Sequence, residues 1–274
     1  MIDVPAQRMR EPLVDGLFYP DTAEALKTEI LRCEKGCGIK KGKAIAIVSP
    51  HAAYEKTGNL MASAFLSAAG RKISTAVLLG PVHRDQSDEI ILPESEIFNI
   101  PTGSFKVDLS GVESILSCGT RFITSDIPHL EEHCIEVQLP FLYHYFPSVK
   151  IVPILLGLDT ASNIKALGKA LYVSFGDSLD STLFIVTTNL CDSREKTAAK
   201  AEADEIISLA EKKDYNSIAD GKIKKQFTAC GAGCLAALLS LPNLGTVKLL
   251  GRTSTVSDAK THKVVEYAAM AMEA

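Results

Sequence analysis

Two histidines and a cysteine stand where a fold could bring them together. His51 follows Ser49-Pro50, His83 follows Leu79-Gly80-Pro81, and Cys230 lies in Thr228-Ala229-Cys230-Gly231. Each histidine comes directly after an apolar run and a proline. Proline fixes φ and ends a strand, so each imidazole projects from a stiff turn. Cys230 precedes an Ala- and Leu-rich helical pattern, and a helix N-terminus favours the thiolate. Two imidazoles and a thiolate make a half-open metal site with room for water or substrate. The plainer readings are a loop histidine bonded to backbone and a thiol packed as a small hydrophobe. Gly231-Ala232-Gly233 is too short to specify an anion cradle and fits close helix–strand packing better.

A competing cluster is His129, His133 and Glu136. On a helix beginning near Pro128 these share one face, a spacing that could bind zinc. It is not the H-E-x-x-H pattern of metalloproteases. The favoured use of His133 and Glu136 is in the wall of the first site, as acid/base or orienting groups. His144 and His262 read as surface or boundary residues.

The elements that must position these groups alternate along the chain. Asp21 with Glu24 resembles a capping box for a helix carrying Leu26, Ile30 and Leu31. Buried strands are predicted at 44–48, 75–79, 150–155 and 183–187, where apolar residues run without alternation. Helices are predicted at 59–69, ended by Gly70, at 108–117, 131–145, 161–173 and 196–211, and from Cys230 to Leu239. Pro140 should kink the 131–145 helix or shift its boundary. Residues 89–105 read as short strands or a hairpin, and 247–253 with 264–271 as closing antiparallel strands. With no repeat and no linker, residues 1–274 form one α/β domain with a central mixed, largely parallel sheet flanked by helices. In such sheets ligands bind at the carboxyl ends of strands. His51, His83 and Asn189 to Asp192 each follow a predicted strand, so they should share one edge.

The totals fit that picture. Among 274 residues, 46% are hydrophobic and 23% charged, as in a soluble protein with a sizeable core. A net charge of −4 argues against a general nucleic-acid partner. The basic runs at 40–43 and 222–225 read as solvated loops. No signal-like start and no long apolar span is visible, so no membrane role is expected. Seven scattered cysteines without C-x-x-C spacing predict reduced thiols in the cytoplasm.

Taken together, several segments resemble the Memo family, the protein-B component found beside a radical-SAM protein and an AMMECR-type protein. Arg10-Glu11-Pro12 with Val14-Asp15-Gly16-Leu17-Phe18-Tyr19-Pro20 is similar to the family's opening. Pro50-His51-Ala52-Ala53-Tyr54 is similar to P-H-A-G-Y, and Leu79-Gly80-Pro81-Val82-His83 to L-G-P-x-H. The most specific match is Glu132-His133-Cys134-Ile135-Glu136-Val137-Gln138-Leu139-Pro140, like E-H-S-x-E-x-x-L-P. Val264-Val265-Glu266-Tyr267-Ala268-Ala269 resembles the closing S-Y-A-A. The resemblance implies a class III extradiol dioxygenase-like fold and iron or copper on His51, His83 and Cys230. It implies radical-SAM and AMMECR-type partners, and a small-molecule or peptide ligand at the strand ends. Redox, oxygenase and phosphopeptide-binding roles are all proposed for the family.

The chain departs from the family at Thr187-Thr188-Asn189-Leu190-Cys191-Asp192, where S-S-D-x-S/C-H is usual. An amide replaces a carboxylate, and a carboxylate replaces an imidazole that can exchange protons near neutral pH. The expectation is an oxygen-using oxidoreductase with metal on His51, His83 and Cys230 and with His133, Asp192 and Glu136 in catalytic roles. Asp192 would ligate the metal or share a proton, and Asn189 and Tyr54 would contact substrate. A non-catalytic binding scaffold and a zinc hydrolase are the two other classes these residues allow.

Overall fold

Long apolar runs without alternation demand a sheet covered on both faces, and the chain builds one. The computed structural model describes residues 7–84, 87–193, 195–256 and 263–273. In chain order the elements are β1 (Met9–Arg10), α1 (Ala23–Cys37), β2 (Ala46–Ser49), α2 (Tyr54–Leu66), β3 (Thr75–Pro81), β4 (Ile90–Leu92), β5 (Ile97–Ile100) and β6 (Gly103–Lys106). There follow α3 (Leu109–Leu116), β7 (Phe122–Thr124), α4 (Asp126–Glu131), α5 (Leu139–Tyr145), β8 (Lys150–Leu156), α6 (Ala161–Phe175) and β9 (Thr182–Thr187). The chain closes with β10 (Cys191–Ser193), α7 (Lys196–Glu211), α8 (Tyr215–Ile223), α9 (Ala232–Leu239), β11 (Thr246–Val256) and β12 (Val264–Glu273).

The main sheet runs β10-β12-β2-β9-β3-β8-β4-β7, with β11 also paired to β12. Its centre, β2-β9-β3-β8, is parallel. β12 joins β2 antiparallel, and β4 joins β8 antiparallel. A second, three-stranded sheet, β1-β5-β6, lies beside it. Because β2, β9 and β3 are neighbours and parallel, their carboxyl ends place His51, Thr187–Asn189 and His83 along one rim. One continuous apolar core, from Val14 to Met272, joins the helices to both faces of the sheet. Among the described residues, no helix is long and apolar enough to cross a membrane.

Three local expectations change. The N-cap of α1 is Thr22, whose hydroxyl accepts from the Ala25 amide, rather than Asp21. The second helix starts at Tyr54, five residues before the apolar pattern reveals it. The helix expected over 131–145 is broken. α4 stops at Glu131, Glu132 is extended (φ −101°, ψ 131°), a single 3-10 turn covers Glu136–Gln138, and α5 begins with Pro140 in its first turn. A proline is well suited to a first turn, where its missing N–H is not needed. That break turns Glu132 and His133 inward instead of leaving them on a helix face.

Candidate metal centre

His51, His83 and His133 form one cluster whose ligand atoms lie within 4.8 Å of one another. Their rings meet with centroids 5.2 Å apart for His51–His83, 5.6 Å for His51–His133 and 5.3 Å for His83–His133. His51 is buried. The other two keep 34% and 27% of their side chains accessible, so the cluster opens to solvent on the His83–His133 side.

Glu132 aims two of the three rings. Its oxygens lie 3.0 Å from His83 Nδ1 and 3.1 Å from His133 Nδ1. They also accept from the backbone N–H groups of His83, His133 and Cys134. A carboxylate can only accept, so both Nδ1 atoms carry protons and both Nε2 atoms point away from Glu132, the position a metal would take by displacing any proton there. Burial opposes the charge on Glu132, yet the hydrogen bonds from His133 and His83 outweigh it and hold the carboxyl well below its usual range. For His83, burial disfavours the cation, but Cys230 and Glu132 outweigh it and raise the imidazole to about 10.

His51 is set differently. Its Nδ1 is 2.9 Å from Thr187 Oγ1, at the end of β9. That hydroxyl also accepts from the Gln138 amide, which donates to the Pro50 carbonyl as well. The His51 Nε2 therefore faces Cys230 Sγ at 3.3 Å. Cys230 is half-buried beside the rim. Burial opposes its ionisation, but His51, a hydrogen bond from His83 and the Asn189 amide N–H bring the thiol well below its usual value. The Asn189 N–H donates to the sulfur at 3.2 Å, and the Asn189 side-chain oxygen accepts from the His51 amide at 3.3 Å.

Close backbone approach makes this convergence possible at two glycines. A Cβ on Gly231 would lie 2.5 Å from the Thr187 carbonyl oxygen, so only glycine lets the Cys230 loop sit over β9. A Cβ on Gly80 would lie 2.5 Å from Cys134 Sγ, so glycine there admits the loop that carries His133.

The structure thus gathers His51, His83, Cys230 and Asn189 at the rim, with His133 among the possible ligands rather than behind them. Three expectations are corrected, and the competing cluster is not formed. Glu136 is fully buried and accepts from Arg10, the Leu13 and Val14 amides and the Tyr19 hydroxyl. All of its acceptor capacity holds the N-terminal segment, leaving none for proton transfer. Tyr54 donates its hydroxyl to the Val137 carbonyl and is buried against Phe141, so it does not face a ligand. Asp192 pairs with Lys263 on the surface strand β10 and keeps 45% of its side chain accessible. Strand alternation turns it outward, away from the rim. His129 does not join a second cluster. It is buried, donates to the Ile91 carbonyl, and burial pushes its imidazole down to about 4.

Glu132 was missed as the orienting group. Its signal was available in its position next to His133, but on the expected helix it would have pointed elsewhere.

Fold and site define a parallel-centred α/β protein with a histidine-rich centre at the strand ends, and the comparisons place it. The Memo-like protein family model matches residues 10–271. A MEMO1 family protein from Methanosarcina acetivorans is 30% identical, covering 97% of this chain and 99% of its own length. Another from Methanococcoides burtonii is 31% identical, covering 85% and 86%. A third, from Thermotoga maritima, is 31% identical over 94% of this chain and 97% of its own length. The chain belongs to the Memo-like family. The crystal structure of an uncharacterized Escherichia coli K12 protein shares the fold, with a TM-score of 0.52 and 8% identity, covering 83% of this chain and 99% of that one.

Proposed function

We propose that this chain is a mononuclear metalloprotein of the oxidoreductase class, with iron or copper held by Nε2 of His51, His83 and His133 and by the Cys230 thiolate. The observation that carries the reading is Glu132. One carboxylate fixes the Nδ1–H of two histidines, the arrangement by which proteins pre-set metal-binding imidazoles. The donor set fits: imidazoles with a thiolate suit copper, iron and zinc, whereas hard calcium or magnesium needs oxygens. Bound there, iron or copper would supply one-electron chemistry and an open position for a small molecule.

The remaining roles belong to the chain. The Asn189 N–H steadies the Cys230 sulfur, and Thr187 with Gln138 keeps His51 in place. The edge of the Phe18 ring covers His133 with centroids 5.1 Å apart, shielding one side of the site from water. Ligand enters from the accessible His83–His133 side. Zinc held by the same residues would activate water for hydrolysis without a redox change, and the metal content decides between the two. The thiolate donor and seven unpaired cysteines support a reducing, cytoplasmic setting. The dioxygenase-like reading of the fold belongs to this proposal too.

The test is metal content after anaerobic purification, followed by oxygen uptake with the loaded protein. Near-stoichiometric iron or copper with oxygen uptake supports the reading. Zinc alone supports the hydrolase. A protein that takes up no metal is a binding scaffold.

A further inference from the structure

Arg10 lies far from the rim in sequence and is almost wholly buried, with 1% exposure. Strand β1 carries it, paired in parallel with β5 so that Arg10 sits in register with Phe98. Its guanidinium carbon stands 5.5 Å from the Phe98 ring centroid. Its three nitrogens are all committed. Nε donates to the His129 carbonyl at 2.6 Å, and Nη1 to the Glu11 carbonyl at 3.2 Å. Nη2 donates to the Glu132 carbonyl at 3.0 Å and to Glu136 Oε2 at 2.7 Å.

Two of these acceptors mark the place where α4 ends. His129 is in its last turn and Glu132 is its C-cap. Carbonyls at a helix end lack partners within the helix, and buried ones must find donors elsewhere. Arg10 is that donor. By holding both carbonyls it stabilises the extended Glu132, and the extended backbone is what carries the carboxylate to His83 and His133. A helix continued through Glu132 would project that carboxylate from the helix surface in a different direction instead. The other end of the same guanidinium grips Glu136, which holds Leu13, Val14 and Tyr19. The N-terminal segment and the His133 loop are therefore riveted through one residue.

We propose that Arg10 is a positioning residue of the metal centre: it fixes the Glu132 peptide, and through it the Nδ1–H groups of His83 and His133. The proposal rests on the reading of these histidines as ligands, but its first readout does not need metal. A lysine would preserve the ion pair with Glu136, yet a point charge cannot span two carbonyls and a carboxylate as the guanidinium fork does. Arg10→Lys therefore separates charge from geometry.

The experiment uses the full chain, metal-free and isotope-labelled. The low-field Nδ1–H resonances of His83 and His133, bonded to Glu132, are followed in wild type and Arg10→Lys. The same proteins are then titrated with Zn(II). The expected result is that Arg10→Lys keeps a cooperative thermal transition but shifts or broadens both resonances. Its Zn(II) dissociation constant should rise about tenfold or more, as for loss of an outer-shell partner. If Arg10→Lys does not fold, the double variant Arg10→Met with Glu136→Met removes the pair without leaving a buried charge, and the same resonances are read. Unchanged resonances in the folded variant overturn the proposal. So does a loss of Zn(II) affinity that Arg10→Lys shares equally with Leu26→Ala, a core change remote from the loop. Resonances lost in Arg10→Lys, in a protein whose wild type binds no metal, uphold the positioning of Glu132 and overturn the metal reading alone.

Discussion

Replacing Glu132 by glutamine keeps the shape of the side chain and removes its charge. Five N–H donors converge on the carboxylate: His83 N and Nδ1, His133 N and Nδ1, and Cys134 N. An amide offers one acceptor and two donors, so its nitrogen must face at least one of those N–H groups. Placed at the Oε2 position, it opposes the His83 N–H, which now stands 2.9 Å from that atom. At the Oε1 position it opposes the His133 and Cys134 amides as well. Either choice turns a ring. A hydrogen bond to a charged group contributes about 1.5–3 kcal/mol. Loss of an outer-shell partner lowers metal affinity by about 10- to 100-fold, equivalent to about 1.4–2.8 kcal/mol. The two ranges agree, so Glu132→Gln should weaken binding by at least about tenfold. Competition titration with Co(II) measures it, and the ligand-field spectrum reports whether the donor set survives. Binding within about twofold of wild type would refute the idea that this carboxylate pre-sets the histidines, since an outer-shell partner is worth at least tenfold.

The pH dependence follows from the same groups. His83 is raised from 6.5 to about 10, so its contribution to metal-free stability is complete below pH 6.5 and is lost as pH rises through about 10. Glu132 is lowered, so its contribution is present above the ordinary carboxylate range and is lost only in acid. The lowered Cys230 thiol gains stability as pH rises to the ordinary thiol range of about 8.5 and offsets His83 up to there. Thermal melts should therefore show declining stability in wild type only from there to about pH 10, and a flatter decline in Glu132→Gln. Metal must displace the His83 proton, so Zn(II) affinity should climb over the same interval; a pH-independent affinity would contradict that assignment. His133→Ala should lose metal, whereas His129→Asn, which changes a buried residue bonded to Ile91, should lose stability and keep metal at equal folded concentration. Metal analysis of the two purified variants separates these outcomes. Asp192→His restores an imidazole on a surface strand paired with Lys263, and should leave metal affinity unchanged in the same titration.

Much of the architecture was legible because buried parallel strands announce themselves as unbroken apolar runs. Residues 44–48, 75–79, 150–155 and 183–187 read correctly as strands for that reason, and the proline-histidine turns after two of them pointed to the shared rim. The closing pair was legible too, and β11 with β12 is antiparallel as expected. The break after Glu131 was not. Residues 131–145 carry a helical pattern, and what interrupts it is Arg10, more than a hundred residues away. No local rule contains that contact. The same distance hid the roles of Glu132 and Glu136: one side chain turns to the histidines, the other to the N-terminal segment. Tyr54 was misread because its motif places it beside His51 in sequence, while one helical turn directs its hydroxyl to Val137. Asp192 was misread because the strand after the rim, β10, leaves the site before reaching it.

The central claim is that His51, His83 and His133 share one redox metal with Cys230 beside them. Anomalous diffraction at the iron and copper edges, on crystals of anaerobically purified protein, addresses it directly. The account predicts a single peak about 2.0–2.4 Å from the three Nε2 atoms and the Cys230 sulfur, the range of metal–nitrogen and metal–sulfur bonds. A peak bonded to a different set of residues, or none after saturating with metal, would contradict it.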